Sequence, residues 1–359
     1  MKKIFACFCA LSLYSCNTEK YEYVIEGKVN ASDYEGMSVY LTVFDTINFI
    51  YEKKDSAYIK DSTFQFSGIQ SAPIAATLYL PAIDNVFFVL EAGKINVTLS
   101  TNAKPKIAGT ELNDSLQAFL LSIDEKYTLQ QALTDSFKVK KSPVNDSIIQ
   151  KWLDVGDSIV DLKINFIKKN ANNLLGETFI LSYLPTFDRE IQQDLLCIIS
   201  TKLKETAEIQ QVMEDFEIMQ DLTGAYYRDA AVQTVNGKDV RIAEYVKRGK
   251  VVLIDFWASW RLPHYAEMPY LSALYDSCKD SLEIISISLD ETNNDWKKAV
   301  EALNMPWPQL KDKKHAAGKI YKLNALPYNV LLNKRGYIVA QNLRGKKLVA
   351  KIMDLLEEN

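Results

Sequence analysis

The chain has 359 residues, a net charge of −4 with both signs interspersed, and 48% apolar residues. That length suits two or three domains. The mixed, slightly acidic charge leaves no electrostatic footprint for nucleic acid, so none is expected as a partner. With His264 and His315 as the only histidines, there is no Cys/His cluster for a metal. No metal and no cofactor is expected.

The first residues are read before any fold. Lys2 and Lys3 precede a short apolar run, Ile4 to Tyr14, too short to span a bilayer and patterned as a signal peptide. It ends in Leu13-Tyr14-Ser15-Cys16, which resembles a bacterial lipobox: an aliphatic residue, a small residue, then a cysteine that is lipidated and becomes the new N-terminus. The resemblance implies lipid attachment at Cys16, a lipoprotein signal peptide over residues 1–16, and membrane anchoring through the lipid. The implied address is the cell envelope of a Gram-negative bacterium, facing the periplasm or exposed at the surface. Tyr14 is bulky for the motif, and an ordinary secretory signal is the alternative. Cys7 and Cys9 leave with the signal, so Cys197 and Cys278 are the two thiols of a lipidated mature chain. Two thiols are no disulfide framework.

Residues 17–108 read as a β-rich domain. Alternating or β-branched runs occur at Tyr21–Val29, Ser38–Val43, Thr63–Phe66, Ala76–Leu80, Asn85–Leu90 and Lys94–Leu99, separated by Gly, Pro, Asn and Asp. This pattern predicts an antiparallel sandwich or barrel. Residues 109–220 change character: Leu, Ile, Lys, Glu, Asp and Gln dominate, and apolar residues recur at helical spacing, as at Leu116, Phe119 and Leu120. This helical segment carries no chemical motif. Cys197, in Leu195-Leu196-Cys197-Ile198-Ile199, is expected to be buried and inert.

Residues 221–359 turn to α/β. Val251–Trp257 reads as a fully buried strand, followed by a helix from about residue 262. A second strand spans Leu282–Leu289, and Asn294-Asp295 is expected to cap a helix through Leu303. Tyr328–Leu332 and Tyr337–Ala340 flank Lys334-Arg335-Gly336 as a hairpin. An amphipathic helix over Lys347–Glu358 closes the chain. The order suits a three-layer domain.

Several words in this last region resemble the thioredoxin fold of the TlpA/ResA type. Lys250-Val251-Val252-Leu253-Ile254-Asp255-Phe256-Trp257-Ala258-Ser259-Trp260 matches the family's approach to its redox pair. Pro263, Glu267, Met268 and Pro269 follow as in the family. So do Ser288-Leu289-Asp290, Pro306-Trp307-Pro308-Gln309-Leu310 and Ala325-Leu326-Pro327, the last at the family's cis-proline. Where the resemblance places the two cysteines, this chain has Arg261 and His264. The β-rich words Glu26-Gly27-Lys28-Val29, Phe64–Gly68, Glu91–Lys94 and Gly109-Thr110 resemble the uncharacterised domain that precedes such thioredoxin domains in envelope lipoproteins.

Thiol–disulfide exchange needs one thiolate to attack and a second thiol to resolve. Neither Arg261 nor His264 can form a mixed disulfide, so dithiol catalysis is not expected there. Cys278 lies 17 positions after Arg261, about 25 Å along a helix, and cannot stand in. What remains is a binding architecture. A helix N-terminus offers free N–H groups and partial positive charge. Arg261 adds a fork of donors and His264 a titratable one. The resemblance adds a groove beside the cis-proline loop that holds an extended peptide. Binding residues are therefore Trp260, Arg261, Pro263, His264, Leu326 and Pro327, with Trp257 in the core and Asp255 as the family's buried acid. The bland alternative for Arg261 and His264 is solvated replacement at a disused site. An Asp255–His264 acid–base pair is a third reading, which no nucleophile completes.

The sequence reads as a redox-inactive thioredoxin-fold lipoprotein that binds an extended peptide, an envelope protein or a small anion in a chaperone-like role. The alternative is a thiol–disulfide oxidoreductase acting through Cys197, Cys278 or a partner's thiols.

Overall fold

The computed structural model describes residues 21–30, 34–45, 50–81, 83–140, 147–218, 221–260, 262–313, 315–323 and 326–358. Residues 1–20, which hold the expected signal peptide and Cys16, and Arg261 lie outside the described residues. The chain divides into two compact units, one ending at Ala118 and the other starting at Phe119.

The first unit carries strands β1 (Tyr21–Val29), β2 (Ser38–Asp45), β3 (Ile50–Tyr58), β4 (Thr63–Gln70), β5 (Ile74–Leu80), β6 (Ile83–Leu90), β7 (Gly93–Leu99) and β8 (Lys106–Ala108). They form two four-stranded sheets in the orders β4-β1-β7-β8 and β3-β2-β5-β6. Ile25, Phe66 and Ile95 of one sheet share a core with Leu41, Leu78 and Phe88 of the other, which makes a sandwich. One departure from an all-antiparallel arrangement is the parallel pairing of β1 with β7. Strand β3 departs from the sequence reading too. Its YEKKDSAY run is charged and mostly exposed, as an edge strand can be, and so shows no apolar alternation.

Helix α1 (Glu111–Lys140) begins in the same unit. Its first turn is tied to β6 by Asn113, whose amide donates to Val89 O at 2.7 Å while its Oδ1 accepts from Val89 N at 2.9 Å. Glu91 Oε1 accepts from the backbone of Leu112 and Asn113 at 3.0 and 3.1 Å, a carboxylate on a positive helix end.

The second unit continues with α2 (Ser147–Lys169), α3 (Leu174–Tyr183), α4 (Arg189–Ile198), α5 (Thr201–Lys204) and α6 (Ala207–Ile218). Phe119, Phe166 and Phe179 join α1, α2 and α3, with the first two rings stacked at 4.1 Å. The rest is β9 (Ala231–Thr234), β10 (Asp239–Arg241), β11 (Val251–Trp257), α7 (Leu262–Cys278), β12 (Leu282–Ser288), α8 (Asn293–Leu303), β13 (Gln309–Asp312), α9 (Ala316–Ile320), β14 (Tyr328–Leu332), β15 (Ile338–Gln341) and α10 (Gly345–Glu357). The sheet order is β10-β9-β13-β12-β11-β14-β15. β11 and β12 run parallel, while β14 is antiparallel to β11.

Every residue of β11 and of β12 is buried, as a sheet covered on both faces requires. Val251, Leu253 and Trp257 face one core with Leu271 of α7, Trp296 of α8 and Ile352 of α10. Val252, Ile254 and Phe256 face the other with Ala317 of α9 and Tyr321. The first core also takes Ile149, Trp152 and Leu153 of α2. Helix α8 is capped by Thr292, whose hydroxyl accepts from Asp295 N at 3.2 Å, two residues before the expected position.

Candidate functional site

Strand β11 alternates between two apolar cores, and Asp255 breaks one of those rows. The residue opposite it on β12 is Ser286 and on β14 Asn329. Ser286 in turn opposes Gln309 of β13. A buried polar row therefore crosses four strands: Gln309, Ser286, Asp255, Asn329. Ser286 donates its hydroxyl to Asp255 Oδ2 at 2.8 Å and accepts the Trp307 indole N–H at 2.9 Å. Asp255 is 3% exposed. Its burial pushes the carboxyl up to about 7, against the Ser286 bond and the positive charge of Arg344. Asn329 holds both backbone groups of Leu343, donating to its O at 2.7 Å and accepting from its N at 3.1 Å, and so fixes the approach to α10.

The chain leaves β11 through a turn held by a second buried acid. Asp290, 4% exposed, accepts from Ser259 N at 3.1 and 3.0 Å on its two oxygens. It also accepts the Ser259 and Ser288 hydroxyls, each at 2.7 Å. Three donor groups thus converge on one carboxylate, which sets the turn into α7. Trp260 projects from that turn and is 62% exposed, while Trp257 is fully buried. Pro263 and His264 lie in the first turn of α7.

The Leu326–Pro327 peptide is cis and leads directly into β14. Tyr328 pairs with Phe256 in the antiparallel register, so β14 begins where β11 ends. The Trp260 turn and the Pro327 loop consequently lie at the same end of two neighbouring strands. Leu326 packs into the core, so what it offers at this end is backbone. Arg344 donates through Nη2 to Pro327 O and to Asn342 Oδ1, the latter at 2.9 Å. Tyr328 donates to Gln341 Oε1 at 2.9 Å, and its burial pushes the phenol up to about 12.

The two thiols lie elsewhere. Cys197, expected in a buried apolar run, is exposed. Helix α4 buries one residue, Leu195, and two positions further on is about 200° around a helix. Cys278 ends α7, is half-buried, and burial pushes its thiol up. Both are free, and no Cys197–Cys278 bridge forms. His315 is exposed and caps the start of α9 with a positive φ of 56°. Among the described residues no group of three or more His, Cys, Asp or Glu side chains could hold a metal, and no helix is long and apolar enough to cross a membrane.

Residues 209–341 match the AhpC/TSA family, and residues 23–116 match a domain of unknown function, DUF4369. The thiol-disulfide oxidoreductase ResA of Bacillus thuringiensis subsp. konkukian is 30% identical over 128 residues, 35% of this chain and 72% of the relative. The chain belongs to the ResA-type thiol-disulfide oxidoreductase family. The Bacillus cereus ResA matches with the same identity and coverage. A solved thioredoxin domain of a thiol-disulfide oxidoreductase from Bacteroides vulgatus is 29% identical, with 38% of this chain and 98% of that one covered and a TM-score of 0.35. Sequence reading of this ResA-type chain singled out Asp255 and the Pro327 loop but gave no role to Asp290, Ser286, Asn329 or Arg344. A signal was available: Ser286 and Ser288 are polar residues inside a strand that is otherwise Leu, Ile and Glu.

Proposed function

We propose that this ResA-type chain is a binding module of the cell envelope that has given up dithiol chemistry and uses the groove between the Trp260 turn and the Pro327 loop for an extended peptide or protein segment. The observation that carries this reading is the composition of the site. Its scaffold is intact, with the buried acid, the Asp290-held turn and the cis-proline loop in place. The residues that follow Trp260 are Arg261-Leu262-Pro263-His264, without a thiol. Exchange chemistry requires a thiolate, whereas peptide capture requires only backbone groups and an aromatic wall. Arg261 and His264 add donors suited to a carboxylate on the bound segment. Lipid attachment at Cys16 would hold the module at a membrane, facing the periplasm or the exterior.

The second reading, oxidoreductase activity through another thiol, draws on the exposure of Cys197. One experiment separates the two. Insulin-disulfide reduction with dithiothreitol as electron source compares the native chain with the Arg261→Cys/His264→Cys double variant. An inactive native chain beside an active double variant supports an intact groove that lacks only its thiols. A native chain that reduces insulin above background, with activity lost in Cys197→Ser, overturns the binding reading.

A further inference from the structure

The chain enters the sandwich at Tyr21, the first residue of β1. Residues 17–20 are all that separate Tyr21 from Cys16. Whatever their conformation, that stretch reaches at most about 18 Å between the two Cα atoms. A lipid on Cys16 would seat the cysteine at the bilayer headgroups. The start of β1 is then confined to a thin layer above the membrane.

Strand register shows which part of the sandwich this is. Tyr21 pairs with Gln70, the last residue of β4, and Glu22 pairs with Ile69. Tyr23 pairs with Gly93, the first residue of β7. Ile74, the first residue of β5, pairs with Leu90, the last of β6. One end of the sandwich therefore gathers the starts of β1, β5 and β7 and the ends of β4 and β6. Ile69 is 55% exposed there. It stands on the outer face of the sheet β4-β1-β7-β8, because Phe64 and Phe66 of the same strand fill the core. Most of that face is polar: Glu22, Glu26, Lys28, Gln65 and Lys94 are exposed, and Lys94 pairs with Glu26 at 2.8 Å. Laying those charges flat on lipid would strip them of water at a cost. An exposed isoleucine gains by leaving water.

We propose that this end of the sandwich is a membrane-docking surface. The short tether holds it against the bilayer, and Ile69 enters the interfacial layer. The other end of β1 stands off in water. Lys28 lies six positions beyond Glu22 on the same strand and the same face, which places it about 20 Å farther from the surface. The partner is the lipid surface itself and not a lipid of particular charge, since the exposed residues nearby carry both signs. The proposal rests on the lipid reading of Cys16.

The full chain, lipidated in a Gram-negative host, is reconstituted into vesicles of phosphatidylethanolamine and phosphatidylglycerol that include a lipid with a headgroup-attached quencher. A Cys197→Ser/Cys278→Ser background leaves the introduced cysteine as the labelling site. A fluorophore is attached at Ile69→Cys or, in a separate protein, at Lys28→Cys, two exposed positions where folding is not at stake. Most of the emission should be lost at position 69 and little at position 28, with or without phosphatidylglycerol. A flexible linker of about twenty Gly and Ser residues between Lys20 and Tyr21 should release position 69 from quenching. Equal quenching at the two positions overturns the proposal, because the sheet face would then lie flat. Absence of quenching at position 69 in a chain that floats with the vesicles overturns it too, as does quenching that the long linker leaves unchanged or that requires the anionic lipid. A chain that carries no lipid, read from the mass of its N-terminal peptide, and does not float removes the lipid reading and the proposal with it. The flotation and mass readouts thus separate failure of the anchor from failure of the docking surface.

Discussion

Asp255 and Asp290 are both buried carboxylates within one site, and their surroundings differ. Asp290 is met by three donor groups, two hydroxyls and a backbone N–H. Asp255 has one hydroxyl and a shared cation, and burial dominates. A carboxyl raised on folding stabilises the fold most below its unfolded value near 3.9. That contribution falls as pH rises toward about 7 and is then lost. Asp255→Asn should therefore remove a stability slope of at most about 1.4 kcal/mol per pH unit between roughly pH 4 and 7. Urea denaturation at several pH values checks this, and an unchanged slope would contradict the assignment. Asp290→Asn should cost about 1–3 kcal/mol, because an amide cannot accept from all three donors. It should also broaden the Trp260 signal, which fluorescence of the native and variant proteins would show.

The elements were unequally legible. β11 and β12 were readable because a run of Val, Leu and Ile has no alternative to a doubly covered strand. The hairpin around Gly336, whose φ is 88°, was readable from its turn residues. β3 was not, because an edge strand needs no apolar face. The cap of α8 was displaced for a different reason. Thr292, Asn294 and Asp295 are all capping residues, and the chain uses the first of them. Thr292→Ala should destabilise α8 by about 1 kcal/mol in thermal unfolding. α4 shows how periodicity misleads over a short span. Five apolar letters in a row suggested burial of Cys197, whereas only the helical phase decides which of them is covered. Cys197 should alkylate quickly at pH 7.5, and Cys278, half-buried with a raised thiol, much more slowly. Mass spectrometry of the labelled peptides checks the order, and equal rates would contradict it. At the site itself, motif words located the Trp260 turn and the Pro327 loop. The polar row beneath them depended on strand register, which a single sequence does not display.

At the scale of the whole molecule, a sandwich and a helix-rich α/β unit share one chain, and the chemistry-bearing residues gather in the second. Anchoring is the prediction that belongs here. The native chain produced in a Gram-negative host should incorporate labelled palmitate and partition with membranes, and Cys16→Ala should do neither. Labelling that persists in Cys16→Ala would contradict lipidation at that residue.

The second unit has one feature that bears on how the protein can be dissected. Ile149, Trp152 and Leu153 of α2 lie in the same core as Leu253 and Ile352. A fragment beginning at Leu222 would leave those three side chains behind, and the surface they cover would face water. Such a fragment should bind a hydrophobic dye and self-associate, whereas one beginning at Phe119 should not. The segment that carries no chemical motif is therefore part of the minimum folding unit for the groove, and any shortened version for crystallisation or screening must retain it.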